Sequence, residues 1–326
     1  MVQLTMAKAI TAGLTRAMDA NDKVVAIGQD IGRLGGVFRI TDGLQERFGA
    51  RRVMDSPLAE AGIVGTALGM AQRGYLPVCE IQFDGFVFPA FDQIINQASR
   101  LRFRTQGHVT APIVIRLPYG GNVGSIEHHG ESPEAYFTPT PGLRIVTPST
   151  PVDAYELIQQ AIASPDPVIV LEPKRLYHSL KGEVDVDAPP SGELDRARVV
   201  RLGTTVTLIG YGPMVSTLLS AAKVLADEGH SAEVVDLRSI APIDWATVEA
   251  SARKTGRVVV AHEAPRTSGV GAELAARIQE RCFFALEAPV LRVTGLDMPY
   301  PPSRVETDYV PSVDRVLQAV DRSLAY

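Results

Sequence analysis

The chain has only two cysteines, Cys79 and Cys282, set in neither a CxxC pair nor a histidine-containing spacing that would hold zinc. Reduced, buried thiols in a cytoplasmic protein are therefore expected, with no disulfide frame. Positive charge is not in excess. Against 37 Asp and Glu stand 32 Lys and Arg, a formal net charge of −5, which argues against nucleic acid or an anionic membrane surface as the main partner. Arg100, Arg102 and Arg104 accordingly read as the solvated end of a helix. No apolar run approaches the roughly 20 residues that cross a bilayer, and neither a short internal repeat nor a low-complexity segment occurs. A signal-peptide pattern is missing too. Lys8 and Arg16 are balanced by Asp19 and Asp22, while Met6, Ile10, Leu14 and Ala17 recur at helical spacing behind Thr5, a fitting cap.

What is present alternates. Short β-rich runs at 24–28, 78–83, 113–117 and 168–172 are separated by long helical stretches, the pattern of a parallel α/β fold. At 326 residues the chain has the length of two domains. Residues 181–196 lose the apolar period and are rich in Pro, Gly, Asp and Glu, which reads as a linker. Beyond it the alternation restarts: strand 206–209, helix 214–228, strand 232–237, helix 245–254, strand 257–261. The expected organisation is two parallel-sheet α/β domains, 1–180 and 201–326, joined by a linker at 181–200.

Three segments carry chemistry. In the first, Ser56-Pro57 reads as a helix start, serine capping and proline at the first helical position. Glu60 then falls in the first turn, where a carboxylate complements the helix dipole, worth a few tenths to about 1 kcal/mol, or serves a ligand. Gly62, Gly65 and Gly69 each cost about 1 kcal/mol of helix stability against alanine and share one face. That bare face permits close approach of another chain or a cofactor, and tight packing within the chain explains it equally well.

In the second, residues 119–129 form a glycine-rich loop after a strand, ending in His128-His129. Such loops hang functional groups from rigid strands, and metal binding is the lesser reading for want of third and fourth ligands at usable spacing. The third, Gly210-Tyr211-Gly212-Pro213-Met214-Val215, follows a strand and opens a helix, with Asp236 ending the next strand. A dinucleotide fingerprint is the alternative here, weakened because Val215 replaces its third glycine and Pro213 lacks an N–H. Taken alone, Phe83, Phe86, Phe88 and Phe91 read as core aromatics.

Several ordered segments together resemble one family. They are Ser56-Pro57-Leu58-Ala59-Glu60, Glu80-Ile81-Gln82-Phe83-Asp84-Gly85-Phe86, Pro89-Ala90-Phe91-Asp92-Gln93-Ile94, His129-Gly130-Glu131-Ser132-Pro133-Glu134, Pro148-Ser149-Thr150-Pro151-Val152-Asp153-Ala154, Leu171-Glu172-Pro173-Lys174-Arg175-Leu176-Tyr177 and Leu286-Glu287-Ala288-Pro289. Over nearly its whole length the chain resembles the beta subunits of branched-chain 2-oxo acid and pyruvate dehydrogenases, thiamine-diphosphate enzymes of transketolase-like fold.

The resemblance implies an N-terminal pyrimidine-binding domain and a transketolase C-terminal-like domain for association and docking. It implies that Glu60 hydrogen-bonds a ring nitrogen of the cofactor's aminopyrimidine and promotes its imino tautomer, which takes the proton from the thiazolium carbon. Phe86 matches the aromatic that packs on that ring, in place of the tyrosine of several relatives; Leu58 and Gln82 match further lining positions. The active-site imidazole falls at His129, whose role would be to protonate or stabilise intermediates during acyl transfer. Gly130 stands where relatives more often carry serine or alanine, and is expected to add local freedom. A structural potassium ion would fall at Ile113, Ala161, Ile162, Ser164 and Asp166, where an ordinary turn at 164–167 is the other reading.

Related enzymes hold the diphosphate and magnesium with a Gly-Asp-Gly that does not occur in this chain. The resemblance therefore implies half a site, completed by an alpha subunit in a two-alpha, two-beta assembly that serves a dihydrolipoamide acyltransferase core with its lipoyl domain. The expected reaction is oxidative decarboxylation of a 2-oxo acid, branched-chain from the Ser-Pro-Glu and Glu-Pro-Lys-Arg runs, with pyruvate as the alternative. Readings of other classes are a non-catalytic assembly subunit and a nucleotide-dependent oxidoreductase built on the Gly210 turn.

Overall fold

The computed structural model describes residues 1–326, which divide into two compact units: Met1–Tyr119 with Phe137–Leu194, and Gly120–Tyr136 with Asp195–Tyr326.

The first unit opens with β1 (Val2–Thr5) and α1 (Met6–Ala20). Thr5 Oγ1 accepts the Lys8 N–H at 3.3 Å, the expected cap. There follow β2 (Val24–Gly28), α2 (Leu44–Phe48), β3 (Val53–Asp55), α3 (Glu60–Gln72) and β4 (Leu76–Glu80). A 3₁₀ turn Asp84–Ala90 and a π turn Gln93–Ala98 lead to α4 (Leu101–Arg104) and β5 (Val114–Tyr119). The unit ends with β6 (Arg144–Val146), α5 (Pro151–Ala163), β7 (Val168–Pro173) and β8 (Lys181–Val184).

Six of these strands lie in the order β6-β7-β5-β4-β2-β3, every pair parallel. β2, β5 and β7 are buried along their full length, as strands covered on both faces must be. Helix α1 lays Met6, Ile10, Leu14 and Met18 into the core, each worth about 1.5–3 kcal/mol on full burial. Gly13 lets α5 come close: a Cβ there would stand 2.5 Å from Ile158 Cγ2 and 2.8 Å from the Tyr155 carbonyl oxygen.

Three local expectations change. Helix α3 starts at Glu60 after Ala59, and Ser56-Pro57 lie ahead of it; the Ser56 hydroxyl turns to the Pro57 carbonyl at 3.1 Å and caps nothing. The segment read as the start of a linker is ordered. β8 pairs antiparallel with β1 from Val2↔Val184 to Thr5↔Lys181, and Tyr155 Oη then donates to the carbonyls of Val186 (2.8 Å) and Ala188 (2.9 Å). A short two-stranded ribbon needs no apolar alternation, so its sequence resembles coil. The aromatics read as core are not fully buried: Phe83, Phe86 and Phe91 are half-buried and Phe88 is 39% exposed.

The second unit holds β9 (Arg198–Arg201), β10 (Val206–Gly210), α6 (Met214–Asp227), β11 (Ala232–Asp236), β12 (Ser239–Ala241), α7 (Trp245–Thr255), β13 (Val258–His262), α8 (Val270–Cys282), β14 (Leu291–Thr294), α9 (Glu306–Tyr309) and α10 (Val313–Leu324). Its sheet runs β14-β13-β10-β11-β9, parallel except for β9. The core gathers Leu208, Leu218, Val234, Val259 and Val320. Both cysteines are free and buried. No helix is long and apolar enough to cross a membrane.

Candidate functional site

Strands β3, β2 and β4 are parallel neighbours, so the chain leaves β3 toward α3 and β4 toward the 3₁₀ turn at the same sheet edge. The carboxyl ends of strands in open α/β sheets are where ligands bind. Glu60 is the first residue of α3 and Phe86 lies in the 3₁₀ turn, and these two elements pack on each other. The Glu60 side chain is only 8% exposed, yet it makes no hydrogen bond or ion pair with any group of the chain. Most of the side chain is covered by its neighbours, and its two acceptor oxygens are left unused by the chain. The positive end of α3 favours a carboxylate at this position.

Phe86 is half-buried, its ring edge-on to Phe83 at 5.8 Å and 80°. Phe83 in turn meets Phe38 edge-on at 5.3 Å. Gln82 is half-buried, and Leu58 is 65% exposed in the connection before α3. The face that carries Gly62, Gly65 and Gly69 is open. A Cβ would meet only Ala59 Cβ at 3.6 Å at Gly62, only Gln93 Cγ at 3.9 Å at Gly65, and nothing at Gly69. Packing within the chain therefore does not explain these glycines.

Beneath this edge lies a buried charge network. Arg116 on β5 donates Nε and Nη2 to Glu172 on β7 at 2.7 and 2.8 Å and Nη1 to Glu80 on β4, while the Tyr177 hydroxyl donates to Glu172 Oε2 at 2.6 Å. Burial alone would lower the Arg116 pKa; Glu172 and Glu80 outweigh it and hold the guanidinium charged, well above its usual range. Alongside, Lys174 pairs with Asp84 and stands 5.7 Å over the Phe83 ring. Glu80 and Asp84, which flank Gln82, are thus both held, and the second anchors the start of the turn that bears Phe86. Sequence reasoning passed over this network. Its signal was charge inside apolar strands, as in Val-Ile-Arg-Leu and Val-Leu-Glu, where a lone ion is unaffordable and partners must face it.

His129 belongs to the second unit, in a 3₁₀ turn Glu127–His129 that closes a loop. The Gly120 N–H reaches the Glu131 carbonyl at 2.9 Å, the His129 N–H that of Ile126 at 3.0 Å, and Ser125 Oγ the His129 carbonyl at 2.8 Å. The His128 and His129 rings lie 4.7 Å apart, tilted by 48°. His128 is exposed and His129 half-buried. Gly130 does not supply freedom as expected: its φ is −137°, open to any residue, but a Cβ would stand 2.7 Å from Tyr300 Cε1. The Gly121, Asn122 and Gly124 amides donate to Glu263, Tyr300 and Glu306, three anchors that no motif announced.

The remaining expectations are also placed. At the Gly210 turn the Met214 and Val215 amides already donate to the carbonyls of Tyr211 and Gly212, and Asp236 accepts the Arg238 N–H at 3.0 Å, so neither presents the groups a dinucleotide needs. Gly210 serves packing, since a Cβ would meet Leu218 Cδ1 at 2.7 Å. Ile113, Ala161, Ile162, Ser164 and Asp166 lie at the end of α5 and the approach to β5. The Ile113 carbonyl accepts the Val168 N–H at 3.0 Å and that of Ala161 the Ser164 N–H at 3.1 Å. Ser164 Oγ caps Asp166 within the turn, and Asp166 pairs with Arg102 at 2.6 Å. No cluster of three His, Cys, Asp or Glu capable of holding a metal occurs.

Residues 2–179 match the family described as transketolase, pyrimidine binding domain, and residues 195–316 that described as transketolase, C-terminal domain. A pyruvate dehydrogenase E1 component subunit beta from Leifsonia xyli is 58% identical over 99% of this chain and 95% of its own. A 3-methyl-2-oxobutanoate dehydrogenase subunit beta from Mycobacterium tuberculosis is 52% identical over 98% and 92%. The chain belongs to the beta subunits of the 2-oxo acid dehydrogenase E1 component. A 2-oxoisovalerate dehydrogenase subunit beta from Pseudomonas aeruginosa, 46% identical over 98% and 94%, agrees. An inactive split-gene transketolase tetramer superposes with a TM-score of 0.81 over 99% of this chain and 98% of its own at 23% identity, which speaks for the fold alone. In this E1 beta chain, the pyrimidine-binding match coincides with the sheet edge that carries Glu60 and Phe86.

Proposed function

We propose that this beta subunit completes its active site only with an alpha subunit, in a two-alpha, two-beta assembly, and there decarboxylates a branched-chain 2-oxo acid oxidatively. The acyl group passes to the lipoyl domain of a dihydrolipoamide acyltransferase core. The observation that carries this reading is Glu60, a side chain only 8% exposed whose carboxylate has no partner in the chain, at the head of α3, in a chain similar throughout to E1 beta subunits.

Thiamine diphosphate, when bound, supplies the electron sink for the decarboxylation. The residues fit its pyrimidine end. Glu60 offers an unspent acceptor to a ring nitrogen, where a charge-assisted contact is about twice as strong as a neutral one, and Phe86 offers a ring face held by Phe83. Leu58 and Gln82 line the same approach. His129 manages protons at the substrate, as an imidazole titrating near neutral pH is suited to do. Magnesium falls to the alpha subunit, because this chain has no Gly-Asp-Gly. Potassium fits the oxygen set at Ile113, Ala161, Ile162, Ser164 and Asp166, since a carbonyl that accepts one N–H keeps a second lone pair.

Pyruvate is the second reading for the substrate, favoured by the name of the 58% identical relative. A non-catalytic assembly role leaves the unpartnered Glu60 unexplained. The test is Glu60→Gln assembled with the alpha subunit: turnover falls by about 100-fold or more while the assembly forms normally. Normal turnover in the assembled pair contradicts the proposal.

A further inference from the structure

Ahead of its one short 3₁₀ turn, the loop that carries His129 has no strand or helix to hold residues 120–126. Its backbone is left-handed at Asn122, with φ of 61°, and the amides of Gly121, Asn122 and Gly124 bond to side chains. Backbone amides outside regular structure need other partners, and here three side chains from distant sequence provide them, one at the buried Gly121 and two in half-buried contacts. Gly121 N–H donates to Glu263 Oε2 at 3.1 Å, Asn122 N–H to Tyr300 Oη at 2.8 Å, and Gly124 N–H to Glu306 Oε1 at 2.9 Å. Tyr300 Oη donates in turn to Glu306 Oε2 at 2.6 Å, so each anchor orients the other. The Tyr300 ring packs edge-on to Tyr309 at 5.2 Å and 70°, and with Val310 they make a small cluster of their own. Shape reinforces the hydrogen bonds. A Cβ at Gly121 would lie 2.1 Å from Tyr300 Oη, and one at Gly130, directly after the histidine, 2.7 Å from its Cε1.

We propose that Tyr300 and Glu306 are positioning residues for His129. They fix the backbone on both sides of the turn and so present the imidazole in one orientation. The proposal rests on the role given to His129 above. Without these acceptors the amides turn to water and the loop samples many arrangements, and misplacing a catalytic group by about 1 Å costs up to about 100-fold in rate.

The experiment uses the complete alpha-beta enzyme with Tyr300→Phe, which keeps the ring, and Glu306→Ala, each alone and combined with His129→Ala. Each single variant lowers kcat about tenfold, with KM for the 2-oxo acid changed less than about twofold. Amide exchange in residues 120–130 accelerates at least about tenfold. In the His129→Ala background neither change lowers kcat further, as expected for residues acting through one group. Unchanged exchange, or an equal further loss in that background, overturns the proposal. Wild-type enzyme that turns over no 2-oxo acid sinks the function proposed above instead, and the exchange rates then decide by themselves whether Tyr300 and Glu306 hold the loop.

Discussion

Tyr211 donates its hydroxyl to Glu134 Oε1 at 2.7 Å where the Glu134 side chain is fully buried and Tyr211 is 1% exposed. The other face of the contact is aromatic, with Tyr211 stacked on His262 at 6.2 Å and 14°. The segment that carries His129 is thereby tied to the Gly210 turn, which gives that turn a structural purpose in place of nucleotide binding.

This trio makes stability depend on pH in two opposed ways. Burial pushes the Glu134 carboxyl up from 4.5 to about 7, with Glu263 adding to the rise and the Tyr211 hydroxyl opposing it. Between those values the folded state holds the extra proton, so stability is full at low pH and is lost as pH rises through about 7. Burial pushes His262 down from 6.5 to about 4, helped by Arg292 and opposed by its bond to the Ala264 carbonyl. There the unfolded state holds the extra proton, so stability is lost as pH falls from 6.5 toward 4. Each contribution is at most about 3 kcal/mol. Glu134→Gln removes the first slope. Its urea midpoint is expected to rise from pH 4.5 to 6.5 while that of the wild type stays flatter; parallel profiles contradict the assignment.

Replacing Arg116 by methionine leaves Glu80 and Glu172 facing each other inside the sheet. The expected cost is about 3–5 kcal/mol at pH 7.5, smaller at pH 5, where a buried carboxylate takes up a proton more readily. Urea unfolding at the two pH values measures it. A cost below about 1 kcal/mol at both would show that the network is not a structural support.

Two glycine-to-alanine changes are expected to act in opposite directions. Gly13→Ala forces a methyl against Ile158 and the Tyr155 carbonyl and destabilises by about 1–3 kcal/mol despite the better helix propensity. Gly69→Ala meets nothing and stabilises the isolated chain by up to about 1 kcal/mol. Thermal unfolding compares them. If the open face of α3 is kept bare for a partner, Gly69→Ala together with Gly65→Ala weakens assembly with the alpha subunit even so, and undiminished assembly removes that reading.

Much of this molecule was legible before its structure. The strand–helix alternation marks the α/β units because buried parallel strands need continuous apolar runs, and Thr5 marked the first helix correctly. Glu60 and Phe86 were readable as a pair only through the segments the chain shares with E1 beta subunits; periodicity treats one as a helix-dipole complement and the other as core. What escaped has a common cause. β8, the Arg116 network and the anchors Tyr300, Glu263 and Glu306 are pairings between residues far apart in sequence, and a hydrogen bond across 178 residues, such as Asn122 to Tyr300, leaves no local period. Ser56-Pro57 misled for a local reason: serine before proline suits an extended approach to a helix as well as its cap, and here the helix begins at Glu60.

The proposed decarboxylation of a 2-oxo acid depends on a site split between two chains. The most direct measurement is release of carbon dioxide from 3-methyl-2-oxobutanoate and from pyruvate, with thiamine diphosphate and magnesium, by this chain alone and by the assembled alpha-beta pair. A split site gives no turnover by the chain alone and turnover by the pair, faster on the branched acid. Turnover by the chain alone, or none on either acid by a pair that assembles and binds the cofactor, would contradict it.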